Sequence, residues 1–125
     1  MKLIDFTLCT RYLDHNGDHI KYETVDNFVG NLALSSVNPM EFKSVSRRDD
    51  LISLTYLLIL MNEKGRSFLN VIEDANKSHF ELIRNSKRTL SPDQMCFSKK
   101  SIEFLPFVKA VHSLKFDEEP NYKYL

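Results

Sequence analysis

The chain has 125 residues, of which 42% are hydrophobic and 27% charged, and its 17 Lys and Arg balance 17 Asp and Glu. This length suffices for one domain around one core, and only 3 Gly and 4 Pro exclude a collagen-like or strongly disordered chain. The zero net charge leaves no basic stripe for nucleic acid and no polybasic block for an anionic membrane, so we expect neither partner.

The first part of the chain predicts a strand followed by a hairpin. Residues 2–6 are mostly apolar and predict a short buried strand. Asn16-Gly17 lies between residues 11–13 and 20–22, and this dipeptide is the strongest short-range signal for a hairpin turn. Residues 14–19 also contain Asp and His side chains that resemble metal ligands. A tight turn spreads such side chains apart, which favours a solvated turn over a metal site.

The middle of the chain predicts a central helix. Residues 23–45 have weak periodicity and predict an ordered loop with a short helix around residues 39–43. Residues 51–61 are the most apolar stretch, too short to span a bilayer and apolar in every direction at helical spacing. Ser46 with Asp49 three positions later forms an N-cap signal. We therefore predict a helix over residues 47–62, surrounded by protein.

The last third of the chain predicts further helices. Residues 68–84 carry a moderate helical pattern, and Ser91-Pro92-Asp93-Gln94 is a strong start signal for a short helix. Apolar residues from 104 to 114 then repeat at three- and four-residue spacing, which predicts a helix that begins near Pro106.

The two cysteines follow no disulfide or metal-binding spacing. Cys9 and Cys96 are far apart in the sequence, so we expect free thiols that serve as packing residues. A chain with free thiols and no secretory n-region and h-region is expected inside the cell, in the cytoplasm, the nucleus or both.

Five motifs follow one another in the order and spacing of a known family. They are I-D-F-T-L at residues 4–8, H-I-K-Y at 19–22, F-V-G-N with S-V-N at 28–31 and 36–38, S-R-R-D-D-L-I-S-L-T-Y at 46–56, and E-F with S-L-K-F-D-E-E-P-N-Y-K-Y-L at 103–104 and 113–125. On these motifs the chain resembles the carboxyl-terminal lobe of a protein kinase, and within kinases the casein kinase I family.

The resemblance implies a mainly α fold, an α+β remnant of a kinase-like C-lobe. A short amino-terminal strand or hairpin would precede helices packed around the central helix at about 47–62. Residues 1–125 would be a partial kinase domain, with an activation segment at 5–45 and C-terminal helices over 66–125. The amino-terminal lobe and the catalytic loop would be absent.

The resemblance also implies roles for particular residues. The family transfers the γ-phosphoryl group of ATP to Ser or Thr of a protein, with Mg²⁺ on the phosphates. Asp5 stands at the position of the Mg²⁺ and cofactor ligand, and Asp50 at that of a buried acid that holds the catalytic loop backbone. Positions that support the substrate wall or the helix head are Gly30, Ser36, Asn38 and Arg47. No catalytic base is expected in this chain.

The chain departs from the family at several positions. Thr7 replaces the glycine that follows Asp5-Phe6, and Ala33 and His79 stand where the family has basic residues that bind phosphorylated substrates. The 125 residues contain no Gly-rich loop, no strand Lys and no H-R-D motif. Arg47 and Arg48 could grip a phosphorylated loop, although pairing with nearby acids or solvation is more common for such residues.

Two hypotheses of different class follow. The chain is either a fragment of a casein kinase I-like kinase or a degenerate kinase remnant that acts as a protein-binding module. In the first case its partners are protein substrates or a missing N-lobe segment, and alone it neither binds ATP and Mg²⁺ nor catalyses transfer. In both cases we expect a large exposed apolar patch. An unrelated small helical domain would require all five motif matches to be accidental.

Overall fold

A computed structural model describes residues 4–63 and 78–125 of the chain. Over these residues it is mainly helical. The helices are α1 (Val37–Met40), α2 (Arg47–Asn62), α3 (His79–Thr89), α4 (Pro92–Met95) and α5 (Leu105–His112), and a 3₁₀ turn at Ile102–Phe104 precedes α5. None of the helices described here is long and apolar enough to cross a membrane.

The predicted hairpin is confirmed as an isolated antiparallel pairing. Leu13 pairs with His19, and the N–H of Ile20 donates to the carbonyl of Tyr12 at 2.9 Å. Gly17 occupies the turn with φ 87°, a conformation that glycine adopts without strain. A second antiparallel bridge joins Thr24 and Lys43.

The predicted buried strand at residues 2–6 is wrong for its described part. Ile4 and Phe6 are 82% and 65% exposed, and residues 4–6 form no strand. An apolar run becomes a buried strand only where another segment pairs with it and covers it, and no segment of the described chain does so here. Residues 2 and 3 lie outside the described residues.

Helix α2 has the predicted bounds, but it is not buried on all sides. Asp49 Oδ2 accepts a hydrogen bond from the N–H of the N-cap residue Ser46 at 2.9 Å, so the acid of the predicted start signal acts as expected. Tyr56 and Ile59 are buried, whereas Leu54 and Met61 are 38% and 68% exposed. The apolar pattern therefore overestimated how much of this helix is covered.

Helix α2 packs against α5, and α4 packs against α5 as well. Their shared core is a cluster of buried side chains, Tyr56, Ile59, Met95, Cys96 and Val108. Helix α1 packs against α3, with Met40 and Ile83 at the centre of a second cluster. The two clusters share Leu90 as a partly buried neighbour, so they form one continuous apolar interior.

The remaining helices begin at local sequence signals. Ser91 and Gln94 form the predicted capping box of α4, which is short, and α5 begins close to the predicted position. The short helix expected at about 39–43 lies slightly earlier, at α1. The predicted pattern at 68–84 is described only from residue 78 onward. There α3 begins at a capping box of Ser78 and Glu81 that the sequence analysis missed, and it extends beyond residue 84.

Candidate functional site

A buried carboxylate joins the motif at 36–38 to the head of α2. Asp49 is 3% exposed. Its Oδ1 accepts hydrogen bonds from the Ser36 hydroxyl at 2.5 Å and the Asn38 side-chain amide at 2.7 Å, while its Oδ2 accepts from the backbone of Ser46. Three donors thus compensate the buried charge. Two of the five motifs that carry the resemblance are therefore one hydrogen-bonded unit in space.

A cavity of about 530 Å³ lies beside this unit. Residues 7–10, the loop at 25–30 and the heads of α1 and α2 form its walls. Gly30 has φ 139°, and a Cβ at this position would overlap the hydroxyl of Ser35, which lines the same cavity. The cavity wall therefore requires glycine at position 30 for two separate reasons.

Of the two neighbouring acids, the structure buries Asp49 and leaves Asp50 exposed on the cavity lining. Among the described residues Asp50 has neither a hydrogen-bond donor nor an ion-pair partner. Partial burial and the adjacent charge of Asp49 raise the pKa of the Asp50 carboxyl. The buried acid that organises this part of the chain is thus Asp49. The role that the resemblance gives Asp50, holding a catalytic loop, stays a prediction because residues 4–63 and 78–125 include no such loop.

The two arginines at the start of α2 contact other parts of the chain. Arg47 stacks on the ring of Tyr12 at 4.4 Å and donates to the carbonyl of Asp117 at 3.4 Å. Arg48 donates to the carbonyl of Leu114 at 3.5 Å and lies 3.8 Å from the carboxylate of Asp49. These contacts favour the interpretation as internally paired residues over that of a grip for a phosphorylated loop.

An aromatic contact continues this link between the hairpin and the C-terminal segment. The ring of Phe116 lies 4.9 Å from His19 and 5.0 Å from Tyr22. The Tyr22 hydroxyl donates to the side-chain oxygen of Asn38 at 3.0 Å, and Asn38 binds Asp49. A chain of contacts therefore runs from residue 116 through the hairpin to the buried carboxylate.

Asp5 is an exposed residue with left-handed backbone. Its φ is 63°, so the positive φ lies at Asp5 and not at Thr7, which replaces the family glycine. Asp5 Oδ1 accepts from the Thr7 hydroxyl at 2.6 Å and from the Thr7 N–H at 3.3 Å, and these two bonds lower the pKa of the Asp5 carboxyl. Thr7 thus restrains the carboxylate that the resemblance assigns to the metal.

The residues near Asp5 do not build a complete Mg²⁺ site by themselves. Within residues 4–63 and 78–125, no group of three His, Cys, Asp or Glu side chains is placed to hold a metal. Mg²⁺ takes six oxygen ligands in octahedral geometry, and Asp5 offers one exposed carboxylate. We therefore derive no chemical step from a metal on this chain alone.

The polar turn at residues 14–19 uses its acid to fix the backbone. Asp14 Oδ1 accepts hydrogen bonds from the N–H groups of Asn16 at 2.8 Å and Asp18 at 3.0 Å. This arrangement favours the interpretation of the segment as a solvated turn.

Both cysteines are free thiols, as predicted, but only Cys96 is buried. Cys9 is exposed beside the cavity, so its prediction as a packing residue is wrong.

Comparison with known proteins identifies relatives of the chain. No model of a known protein family matches it. It is 30% identical over 125 residues to casein kinase I homolog 3 of Saccharomyces cerevisiae, and 34% identical over 124 residues to a probable casein kinase I homolog of Encephalitozoon cuniculi. Each alignment covers 98% of this chain but only 24% and 39% of the respective relative.

On these alignments the chain is similar to casein kinase I homologues. It is a casein kinase I-like segment that spans well under half the length of the curated relatives it matches.

Proposed function

We propose that this chain forms the carboxyl-terminal lobe of a Ser/Thr protein kinase that transfers the γ-phosphoryl group of ATP to a protein. The observation that carries the proposal is the binding of Ser36 and Asn38 to Asp49. It unites in space two of the five motifs that carry the resemblance to the family. The catalytic base and the ATP cleft then lie on residues outside these 125.

The contribution of the chain itself is positional. Catalysis of phosphoryl transfer depends mainly on the placement of groups and on charge neutralisation. Asp49 fixes the cavity wall at residues 30–36 relative to α2, and the arginines hold the hairpin of the activation segment. In the complete protein Asp5 supplies one carboxylate to Mg²⁺, and the partners are protein substrates and an N-lobe segment, inside the cell. Alone, the chain is expected to bind no ATP and to transfer no phosphate.

A chimera tests the proposal. Residues 1–125 replace the matching segment of the Encephalitozoon cuniculi relative, and transfer of labelled phosphate from ATP to casein is measured. We expect transfer, because the wall and the helix head are intact. The control is the same chimera with Asp49→Asn, which should fold less stably and transfer less. A chimera that folds, binds Mg-ATP and still transfers nothing, also after Thr7→Gly, would contradict the proposal.

A second candidate function is a protein-binding module derived from a kinase. Two observations favour it: the cavity presents Asp50 without a partner among the described residues, and the apolar side chains of Ile4, Phe6 and Leu8 are exposed. A ligand that binds the folded state raises the melting temperature. A folded chimera whose melting temperature is unchanged by saturating Mg-ATP would support this candidate.

A further inference from the structure

Lys87 is a buried cation that has no acidic partner within the described part of the chain. It is 4% exposed, and no ion pair among residues 4–63 and 78–125 involves it. Its Nζ donates to the carbonyl of Leu32 at 2.9 Å and to that of Ser35 at 2.5 Å, and it lies 4.8 Å from the centre of the Tyr56 ring. The ammonium group is thus surrounded by two backbone acceptors and one aromatic face.

Stability alone does not explain a charge at this site. Burial of an ammonium group has a large desolvation cost, and an apolar side chain of similar volume would fill the same space without that cost. Burial lowers the pKa of Lys87 to about 8, which is the physical sign of this cost. The contacts that offset this desolvation cost are all made by Nζ. We therefore look for the role of Lys87 in the hydrogen bonds that Nζ donates.

The two carbonyls belong to the turn that forms the cavity wall. The N–H groups of Leu34 and Ser35 both donate to the carbonyl of Asn31, at 3.1 and 2.8 Å, which closes the turn. Ser35 packs against Gly30, and the next residue, Ser36, binds Asp49. Asp49 therefore holds one end of the turn, and Lys87 holds the turn itself from α3.

We propose that Lys87 is the positioning residue of the cavity wall at residues 30–36. From α3 it fixes the carbonyls of Leu32 and Ser35, so that the side chains of Ser35 and Ser36 face the cavity. The consequence for phosphoryl transfer rests on the proposed function, whereas the positioning itself does not.

Hydrogen exchange on the full chain tests this role. In Lys87→Met the amides of Leu34 and Ser35 should exchange at least ~10-fold faster, since a hydrogen bond from a charged donor typically contributes that much. The amide of Cys96, which donates to Pro92 in α4, serves as the reference within the same molecule. The control variant is Lys109→Met, which removes an exposed lysine paired with Asp93.

The comparison of two replacements separates positioning from space filling. If Lys87 only filled volume, Met would preserve protection of the turn better than Arg. The proposal expects the opposite, because Lys87→Arg retains a charged donor for the two carbonyls. Protection in Lys87→Met equal to that of the wild type relative to Cys96 would overturn the proposal.

A direct titration keeps the test valid if Lys87→Met does not fold. The ¹³Cε resonance of Lys87 in the wild-type chain should titrate near pH 8, because the ammonium group is buried. A midpoint near the usual value of about 10.4, combined with Nζ protons that exchange as fast as those of exposed lysines, would show that Nζ is not held in this site and would overturn the proposal. Neither measurement uses phosphoryl transfer, so an inactive chimera leaves their outcome interpretable.

Discussion

Two adjacent acids with opposite environments define the head of α2. Both acids line the cavity, but consecutive helical residues point about 100° apart, so Asp49 is buried and Asp50 is exposed. Asp49 accepts three hydrogen bonds and is buried, whereas Asp50 is exposed on the cavity lining, where partial desolvation and then the charge of Asp49 raise the pKa of its carboxyl. A carboxylate therefore stabilises the fold at position 49, whereas at position 50 its charge gives no such stabilisation.

This contrast predicts different effects for the same substitution at the two positions. Asp49→Asn replaces one acceptor oxygen by an amide donor opposite groups that already donate, and should lower the free energy of unfolding by about 2–4 kcal/mol. Asp50→Asn removes a repelled charge and should leave the stability unchanged or slightly higher. Urea unfolding of both variants measures the difference. If Asp49→Asn lowers the free energy of unfolding no more than Asp50→Asn does, the hydrogen bonds of Asp49 make no specific contribution to stability.

The requirement for glycine at position 30 can be tested by substitution. Gly30→Ala adds a side chain at φ 139° and against the Ser35 hydroxyl, so it should destabilise the fold by about 2–3 kcal/mol. Gly17→Ala also has a positive φ, but open space surrounds it, so only about 1 kcal/mol is expected. Thermal unfolding of the pair checks the order, and a larger loss at position 17 would contradict the crowding argument.

At the scale of elements, the sequence predicted what depends on local signals. The bounds of α2 and the short helix after Ser91 follow from capping residues and spacing, which act within a few positions. Ser78 and Glu81 follow the same capping rule, so the start of α3 was also predictable from the sequence. The strand at 2–6 failed because burial depends on a partner segment, which a local pattern does not reveal.

The candidate site was likewise predictable only where it depends on local sequence signals. The sequence shows the motifs that contain Ser36, Asn38 and Asp49, but not that these residues bind one another. Whether Asp49 or Asp50 turns inward depends on the packing of α2 against the loop. Lys87 was missed, although it lies four residues after Ile83 on one face of α3, and both are buried. A lysine in register with the apolar face of a helix is a signal that could have found it.

The contact between the hairpin and the C-terminal segment predicts a coupled loss of order. Phe116→Ala removes the ring that contacts His19 and Tyr22 and lies 5.5 Å from the Arg48 guanidinium. The amide of Ile20, which closes the hairpin, should then exchange ~10-fold faster. An aromatic contact typically contributes about 1 kcal/mol or more beyond the free energy of burying its surface.

The matched control for this coupling is Tyr124→Ala. Tyr124 is aromatic and close in sequence, but its side chain is 78% exposed. Exchange at Ile20 should remain at the wild-type rate in this variant. If both variants accelerate exchange equally, the hairpin responds to the C-terminal segment in general and not to the ring of Phe116.

At the scale of the whole molecule, the surface predicts self-association. Ile4, Phe6 and Leu8 are 82%, 65% and 68% exposed within one short segment, and such apolar surface in water drives association. The formal net charge of zero provides no long-range repulsion between copies. Sedimentation velocity over the micromolar range should therefore show a weight-average mass that rises with concentration.

A triple substitution locates the responsible surface. Ile4→Ser, Phe6→Ser and Leu8→Ser together remove the apolar side chains without changing the charge, and should shift the chain towards a monomer at every concentration. Phe97→Ser, which removes a 59% exposed ring elsewhere, is the control and should associate like the wild type. A wild-type chain that sediments as a monomer throughout would show that this segment is covered in solution. Association that persists in the triple variant would instead move the interface to other exposed apolar residues.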